Sequence, residues 1–224
     1  IQFRRLNTRK GPAVRATRAQ IDKARYRSRM KRVLETTPNL SIFQAEAVAF
    51  VVGGGAVEGV VTDSGEALRA RAVILTTGTF LNGTIHVGAR RTSGGRAGDR
   101  AATSLSDSLR GLGLAMGRLK TGTCPRLDGR TIDYEKLECQ PGHIPPPGFS
   151  FDRGMPRLPQ VPCFLTYTTS MTHRVIRDNL HESSVYGGQI ASRGPRYCPS
   201  IEDKVVKFPH REQHRIFLEP EGLD

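Results

Sequence analysis

The sequence has 224 residues, 37% of them hydrophobic, which is enough to bury a core in one or two α/β domains. Its formal net charge of +13 favours a polyanionic partner, with nucleic acid as the first candidate. No run approaches the roughly 20 apolar residues of a membrane-spanning helix, and the first residues lack the apolar stretch of a secretory signal. We therefore expect a cytoplasmic protein without a membrane partner.

The four cysteines indicate a reducing compartment. Cys124, Cys139, Cys163 and Cys198 are far apart and form no C-x-x-C pair. Neither a zinc site nor a redox dithiol is therefore encoded locally, and we expect no metal. This usage fits a reduced environment best.

The amino-terminal segment is the most basic part of the chain. Residues 1–32 hold twelve Lys and Arg side chains, and Asp22 is the only acid among them. Thr17 and Gln20 have the spacing of a capping box, which predicts a helix over residues 18–35 that Pro38 ends. One buried stripe is expected to contain Ile21, Ala24, Met30, Val33 and Leu34. This leaves Arg25, Arg27 and Lys31 toward solvent, either as RNA contacts or as an ordinary solvated helix face.

Short β-rich segments follow this helix. We expect strands over residues 40–44, 47–52, 56–62 and 68–77, separated by glycine-containing turns. The two middle segments predict an antiparallel hairpin, and residues 72–75 form an apolar run suited to a strand covered on both faces. The pattern predicts an α/β dinucleotide-binding domain with an inserted β-meander. Later, helices are expected over residues 104–114 and 171–180, with a proline-rich loop over residues 139–162.

Two glycine patterns resemble phosphate-binding loops and are rejected. Gly53-Gly54-Gly55 is followed by Glu58 at the position of the third glycine, and it lies between meander strands. Gly111, Gly113 and Gly117 follow a helical stretch and not a strand. The first pattern is interpreted as a turn, and neither is a dinucleotide fingerprint.

Three other loops have residues suited to a cofactor. Thr77 and Gly78 follow the predicted buried strand, where small residues allow a ligand to approach the backbone. Gly95 and Arg96 lie in the segment 93–99, whose amides and guanidinium suit a phosphate or a flavin ring. Residues 120–126 offer the same chemistry. The alternatives are a simple turn in the first case and ordinary basic loops in the others.

The segment 194–204 is the densest constellation. Cys198 has Arg196 nearby and Lys204 further away, and such cations favour the thiolate that a nucleophile requires. Cysteine is also among the most commonly buried residues, so a structural role for Cys198 remains the alternative.

Four of these segments together resemble a known family. Residues 10–20, 93–99, 117–123 and 194–204 look like signature segments of the MnmG (GidA) family, in the family's order, and residues 213–223 match as well. The resemblance covers nearly the whole chain. It implies an α/β, glutathione-reductase-like FAD/NAD-binding fold, here incomplete, with the inserted β-meander and a second α/β subdomain.

The resemblance also implies a chemistry. The family uses FAD reduced by NADH, with methylenetetrahydrofolate as the one-carbon donor. Together with the MnmE GTPase it modifies carbon 5 of the wobble uridine in certain tRNAs, so the implied partners are tRNA, MnmE and a second copy in a homodimer within a hetero-oligomer.

Carried over by position, the family's FAD contacts fall near Ala47 and Ala102. Cys198 is our catalytic candidate, either as a nucleophile or as an acid/base group. Alanine at position 102 replaces the serine that is common in relatives, which indicates a backbone contact or a lost contact. The nicotinamide-cofactor segment covers Gly194, Pro195, Arg196, Tyr197, Cys198, Pro199, Ser200, Ile201, Glu202, Asp203, Lys204, Val205, Val206, Lys207 and Phe208.

The sequence departs from the family pattern in several places. It contains no G-x-G-x-x-G strand-to-helix unit, no later flavin segment and no carboxy-terminal helical domain, and Cys124 stands where proline is usual. We therefore interpret it as an inactive fragment that binds FAD poorly. Residues 1–125 would belong to the FAD-binding domain, and residues 126–224 to the NAD-binding or insertion domain and a return to the first.

Two other functions stay open at this point. A folate- and FAD-dependent tRNA uridine methyltransferase uses similar cofactors, although the segment 194–204 argues against it. A non-catalytic RNA-binding module could use the basic amino-terminal helix alone.

Overall fold

The computed structural model describes residues 1–78, 80–96, 98–150, 158–190 and 200–223. These residues form antiparallel strands, short α-helices and four 3-10 turns. The strands are β1 (Gln2–Leu6), β2 (Ala16–Gln20), β3 (Ala47–Gly53), β4 (Ala56–Thr62), β5 (Ala67–Arg69), β6 (Thr84–Val87), β7 (Arg90–Ser93), β8 (Glu138–Gln140), β9 (Cys163–Tyr167) and β10 (Arg215–Leu218). The α-helices are α1 (Lys23–Glu35), α2 (Leu105–Gly111), α3 (Ser170–Asp178) and α4 (Ile201–Lys207). The 3-10 turns are Pro12–Val14, Gly129–Thr131, Tyr134–Lys136 and Leu180–Glu182.

The chain divides into two compact units, each made of separate segments. The first contains Ile1–Ile42, Cys124–His173 and Phe208–Asp224, and the second contains Phe43–Thr123 and Arg174–Lys207. The first unit holds the β1–β2 ribbon and the sheet β10-β9-β8. The second holds the meander β3-β4-β5 and the ribbon β6–β7.

The core of the first unit joins residues distant in sequence. Cys163 is fully buried on β9, and its thiol donates to the side-chain oxygen of buried Gln2 at 3.2 Å. Gln2 in turn donates to the backbone carbonyl of Gln140 at 2.7 Å. Burial raises the pKa of the Cys163 thiol above its ordinary value, so this cysteine stays protonated and structural.

The predicted meander is confirmed. β3 and β4 pair in antiparallel fashion, and β4 pairs with β5. Gly54 and Gly55 connect the first two strands with φ angles of 55° and 78°, in the left-handed region that favours glycine. α2 packs beside this sheet, and the backbone N–H of Phe50 donates to the Ser108 hydroxyl at 3.0 Å.

The predicted start of the first helix is wrong. Residues 16–20 form β2, which pairs with β1 in the register Gln2↔Gln20, and the helix begins at Lys23. Its N-cap is Asp22, whose carboxylate accepts the Arg25 N–H at 2.9 Å. Strand pairing satisfies the backbone groups that a capping box would have served, so Thr17 and Gln20 bond elsewhere.

Two expectations about apolar residues are also wrong. α1 has no buried residue: Met30 and Leu34 are exposed and Val33 is half-buried. Residues 72–75 form no strand, and Ile74 is 85% exposed. A strand buried on both faces needs neighbouring strands, and no described residue pairs with this segment. Residues 40–44 are likewise irregular.

The later helices agree with the sequence. α2 lies within its predicted span but is shorter than expected, and α3 covers Ser170–Asp178 against the expected 171–180. Residues 139–140, expected in the loop, belong instead to β8. Residues 141–150 and 158–162 are irregular, as their prolines predict. Across the described ranges, no helix is long and apolar enough to cross a membrane.

Candidate functional site

The segment after residue 77 lies against the segment that contains Ala102. Leu81 forms a parallel β-bridge with Ala102, and the Asn82 N–H donates to the Ala102 carbonyl at 2.7 Å. Gly78 has φ 63°, a left-handed conformation that favours glycine, while Thr77 beside it is exposed. The predicted cofactor residues Thr77, Gly78 and Ala102 therefore lie along two neighbouring segments of the second unit.

The glycine loop at residues 94–99 joins the same region. The Gly94 N–H donates to the Gly83 carbonyl at 3.0 Å. The Gly95 backbone lies so close to Phe80 that a Cβ at position 95 would be 2.3 Å from the Phe80 Cβ. The Arg96 guanidinium is 5.9 Å from the centre of the Phe80 ring and 3.7 Å from the Asp99 carboxylate. Glycine at position 95 is thus required for this close approach.

Ala47 begins the meander, where it pairs with Thr62 of β4. It is the first residue of β3, and the neighbouring Glu46 N–H donates to the Asp63 carboxylate at 3.4 Å. Asp63 also lies 3.7 Å from the Arg100 guanidinium, two residues before Ala102. The structure therefore places Ala102 beside Leu81 and Gly95 beside Phe80, whereas Ala47 itself makes no recorded contact with either within the described residues.

A depression opens beside the glycine loop. Its volume is about 310 Å³, and its lining combines two guanidinium groups, one carboxylate, two hydroxyls and two aliphatic side chains. The lining residues are Ile85, Val87, Arg90, Thr92, Ser93, Arg96, Gly98 and Asp99. Guanidinium and hydroxyl donors of this kind suit a phosphate group.

The second predicted cofactor segment covers residues 194–208. Within its described part, α4 starts at a capping box that the sequence analysis did not predict. Ser200 donates its N–H and its hydroxyl to the Asp203 carboxylate at 3.1 and 3.0 Å, and the Asp203 N–H donates back to the Ser200 hydroxyl at 3.3 Å. These bonds start α4 at Ile201. Val205 is buried, whereas Ile201, Lys204 and Val206 are half-buried and Lys207 is exposed.

Glu202 connects α4 to the segment 117–123. The Lys120 ammonium is 3.1 Å from its carboxylate, and the Lys120 side chain is only 12% exposed. The same oxygen of Glu202 accepts the Ser183 hydroxyl at 3.1 Å, and a Cβ at Gly122 would be 3.7 Å from the Ser200 Cβ. Two of the recognised sequence segments therefore meet in the second unit.

Asp203 holds a perturbed tyrosine. The Tyr186 hydroxyl donates to the Asp203 carboxylate at 2.9 Å. Burial, together with this hydrogen bond and the nearby negative charge, raises the pKa of Tyr186 to about 12. Burial opposes ionisation of Asp203 as well, but hydrogen bonds from Tyr186, Lys207 and Ser200 outweigh it and hold the pKa of Asp203 below its ordinary value. Glu202 and Asp203 are thus occupied by contacts within the protein.

The remaining predicted residues fall into two groups. Phe208 belongs to the first unit, where its ring contacts His210 and His214 and lies 5.6 Å from the Arg211 guanidinium. The catalytic candidate and its neighbours lie outside the described residues: Gly194, Pro195, Arg196, Tyr197, Cys198 and Pro199.

The basic helix α1 presents its predicted RNA contacts to solvent. Arg25, Arg27 and Lys31 are all exposed. Arg25 lies 3.6 Å from the buried Asp22 carboxylate, and Lys31 lies 3.7 Å from Glu35. The Lys31–Glu35 pair is exposed and therefore weak, so Arg27 and Lys31 are available to a polyanion, whereas Arg25 also pairs with the buried Asp22 carboxylate.

Thr168, His173 and His214 form a buried polar cluster in the first unit, which the sequence analysis did not predict. The Thr168 hydroxyl lies 2.8 Å from His173 Nε2 and accepts the His214 N–H at 2.8 Å. The two imidazole rings lie 5.2 Å apart, centre to centre, at an angle of 31°. Position 214 is 46 residues from Thr168, so no local spacing could have indicated the cluster. Among the described residues, no group of three or more His, Cys, Asp or Glu could hold a metal ion.

The architecture is that of a mixed α/β protein, and comparison with known proteins places it in a family. Residues 1–224 match the family model described as glucose inhibited division protein A, and the chain belongs to that family. Curated relatives from Geobacter metallireducens and Pelobacter propionicus are 58% and 56% identical over 224 residues. Both carry the name tRNA uridine 5-carboxymethylaminomethyl modification enzyme MnmG.

A solved structure is also similar to the chain in its fold. Aquifex aeolicus GidA, in its form I crystal, is similar with a TM-score of 0.88 and 52% identity over 100% of this chain. The matched region is 38% of that structure's chain and 36% of each of the two curated relatives. The chain thus spans little more than a third of the length of the relatives it matches.

Proposed function

We propose that this chain supplies part of the cofactor-binding region of an enzyme that adds a carboxymethylaminomethyl group to carbon 5 of the tRNA wobble uridine. The observation that carries the proposal is the 58% identity, over all 224 residues, to a relative named for this activity. The bridge between Leu81 and Ala102 supports it, because it places a position that the family resemblance assigns to FAD beside the segment that follows Gly78.

The proposed architecture is a glutathione-reductase-like flavoprotein fold. In this proposal residues 1–125 belong to the FAD-binding domain, and residues 126–224 belong to the NAD-binding or insertion domain and a return to the first. One division between the compact units falls between Thr123 and Cys124, close to this boundary, whereas residues 1–42 cluster with residues 124–173.

The described residues fit a nucleotide cofactor at the glycine loop. Gly95 packs against Phe80, and the neighbouring Arg96 guanidinium, 5.9 Å from the centre of the Phe80 ring, offers a donor for a cofactor phosphate. Thr77, Gly78 and Ala102 would contact FAD through their backbone. When bound, FAD supplies the redox chemistry, with NADH as its reductant and methylenetetrahydrofolate as the source of the carbon unit.

The nicotinamide segment, from Gly194 to Phe208, is proposed to contact NADH. Its described side chains Ser200, Glu202 and Asp203 hold α4 in place, so they would act by positioning the segment. Cys198 remains the proposed nucleophile. Its thiolate would form a bond to carbon 6 of the uridine, which places negative charge on the ring and makes carbon 5 able to attack a methylene electrophile. Loss of the carbon 5 proton and departure of the thiolate would then restore the ring.

The proposed partners follow from the same family. tRNA would contact the exposed cations Arg25, Arg27 and Lys31 of α1. We also propose the MnmE GTPase as a protein partner, homodimerisation within that complex, and a cytoplasmic location.

One experiment tests the function with Cys198 as its variant. Full-length protein should carry FAD as purified, NADH should bleach the flavin, and tRNA should acquire the modified uridine. Cys198→Ser should keep flavin, NADH oxidation and tRNA affinity while single-turnover product falls by orders of magnitude. A colourless protein that takes up no flavin would count against the enzyme. A stable Cys198→Ser protein with full turnover would exclude an essential chemical role for the thiol.

A further inference from the structure

The ribbon β6–β7 and the loop after it form a positively charged surface in the second unit. Residues 84–100 contain four arginines, at positions 90, 91, 96 and 100, and one acid, Asp99. All four residues of β7 are exposed. The side chains of Arg96 and Arg100 are 72% and 86% exposed, and each lies 3.7 Å from a carboxylate. Such solvent-exposed pairs contribute little, so the guanidinium groups are available to another anion.

The two faces of the ribbon differ in what they present. Ile85 pairs with Thr92, and Val87 pairs with Arg90. Paired residues in an antiparallel ribbon point to the same face, and these four side chains all line the depression of about 310 Å³. Arg91 belongs to the alternate position of β7 and does not line it, although Ser93, at the end of the strand and of the same parity, does. Only one of the two adjacent arginines therefore faces the depression.

The lining matches the parts of a nucleotide. Arg90 provides a guanidinium group and Thr92 a hydroxyl, both of which bind phosphate oxygens, while the Arg96 guanidinium lies 3.7 Å from the Asp99 carboxylate of the same lining. Val87, 70% exposed, and Ile85 offer an apolar wall for a sugar or a base. The exposed strand leaves the depression open along the ribbon, so the flanking residues of a polymer could pass through it.

We infer that this face of the β6–β7 ribbon binds a phosphodiester group of the tRNA backbone. The inference rests on the proposed function, and it adds a second RNA contact to the one proposed for α1. The same chemistry would suit a phosphate of the nucleotide cofactor, so the test separates the two sources.

The decisive comparison is between neighbouring arginines. Arg90→Gln and Arg91→Gln remove the same charge at adjacent positions, but only the first removes a donor from the depression. In full-length protein, Arg90→Gln should weaken tRNA binding by about five- to tenfold and lower the slope of log K against log salt by about one. Arg91→Gln should change the affinity by less than about twofold. Thr92→Val, a nearly isosteric change, should weaken binding by roughly two- to threefold. Binding is measured by fluorescence anisotropy at several salt concentrations, and flavin content by absorbance.

Each other result overturns the inference. Equal losses for Arg90→Gln and Arg91→Gln would indicate a general charge effect, and unchanged binding by Arg90→Gln would remove RNA from this face. A loss of flavin with unchanged tRNA affinity would assign the depression to the cofactor phosphate. Formation of the modified wobble uridine by the wild-type protein is measured in parallel. If the wild type forms product but the arginine variants bind tRNA equally, the inference about this surface is wrong while the proposed function stands.

Discussion

Thr168 is the residue whose removal tests the buried polar cluster most directly. Thr168→Val keeps the size of the side chain but deletes the hydroxyl that accepts the His214 N–H and bonds His173 Nε2, both at 2.8 Å. All three residues are buried. A buried polar group that loses its partner costs about 1–3 kcal/mol, so the two lost bonds should destabilise the protein by roughly 2–4 kcal/mol. For a chain of this length, that corresponds to a fall in Tm on the order of 5–15 °C.

The matched control is Thr166→Val, two residues earlier, on β9. Thr166 is half-buried, and its hydroxyl has no hydrogen bond within the described residues. This change should alter stability by less than about 0.5 kcal/mol. Thermal melts followed by circular dichroism, with urea titrations beside them, measure both variants. If Thr168→Val has the same Tm as the wild type, or if both variants lose the same free energy of unfolding, the cluster does not contribute to stability as its geometry indicates.

Two further predictions concern α1 and the perturbed tyrosine. Replacing Arg25, Arg27 and Lys31 together by Gln in full-length protein should weaken tRNA binding and lower its salt slope by roughly two to three; an unchanged slope would make α1 an ordinary solvated helix. Tyr186 should ionise with a pKa of about 12, against an ordinary value of 10, so its contribution to stability is complete below pH 10 and is lost as pH rises through about 12. Phenolate absorbance is followed against pH in the wild type and in Tyr186→Phe, and the step that the variant lacks should lie near pH 12. If the variant instead lacks a step near pH 10, Tyr186 ionises at its ordinary pKa and the prediction is wrong.

Local signals predicted local structure well. The hairpin of β3 and β4 could be predicted almost to the residue, because Gly54 and Gly55 fix the turn and the flanking strands are apolar. The same kind of local signal failed at Thr17, because pairing of β2 with β1 took the backbone groups that a helix start would use. The functioning capping box, at Ser200 and Asp203, has the same spacing. Spacing alone could not distinguish the two.

Longer-range features were beyond the sequence for a physical reason. The apolar run around Ile74 has the composition of a buried strand, but burial depends on neighbouring strands that the described residues do not supply. The pairing of Lys120 with Glu202, and the cluster around Thr168, join residues that are 82 and up to 46 positions apart. Composition could identify such residues as polar, but it could not show which of them meet.

The division into units has a consequence for the order in which the protein can fold during synthesis. The segments of the second unit within this sequence end at Lys207, whereas the first unit also includes Phe208–Asp224, which leave the ribosome later. Until then α1 lacks the bond from its Lys23 N–H to the Glu221 carbonyl, and buried Asp22 lacks the Leu223 N–H. Contacts between distant segments form slowly. The second unit would therefore fold while the first unit still lacks Phe208–Asp224. Residues 1–32, which carry the basic charge, would lack these anchoring bonds until residues 208–224 have been synthesised.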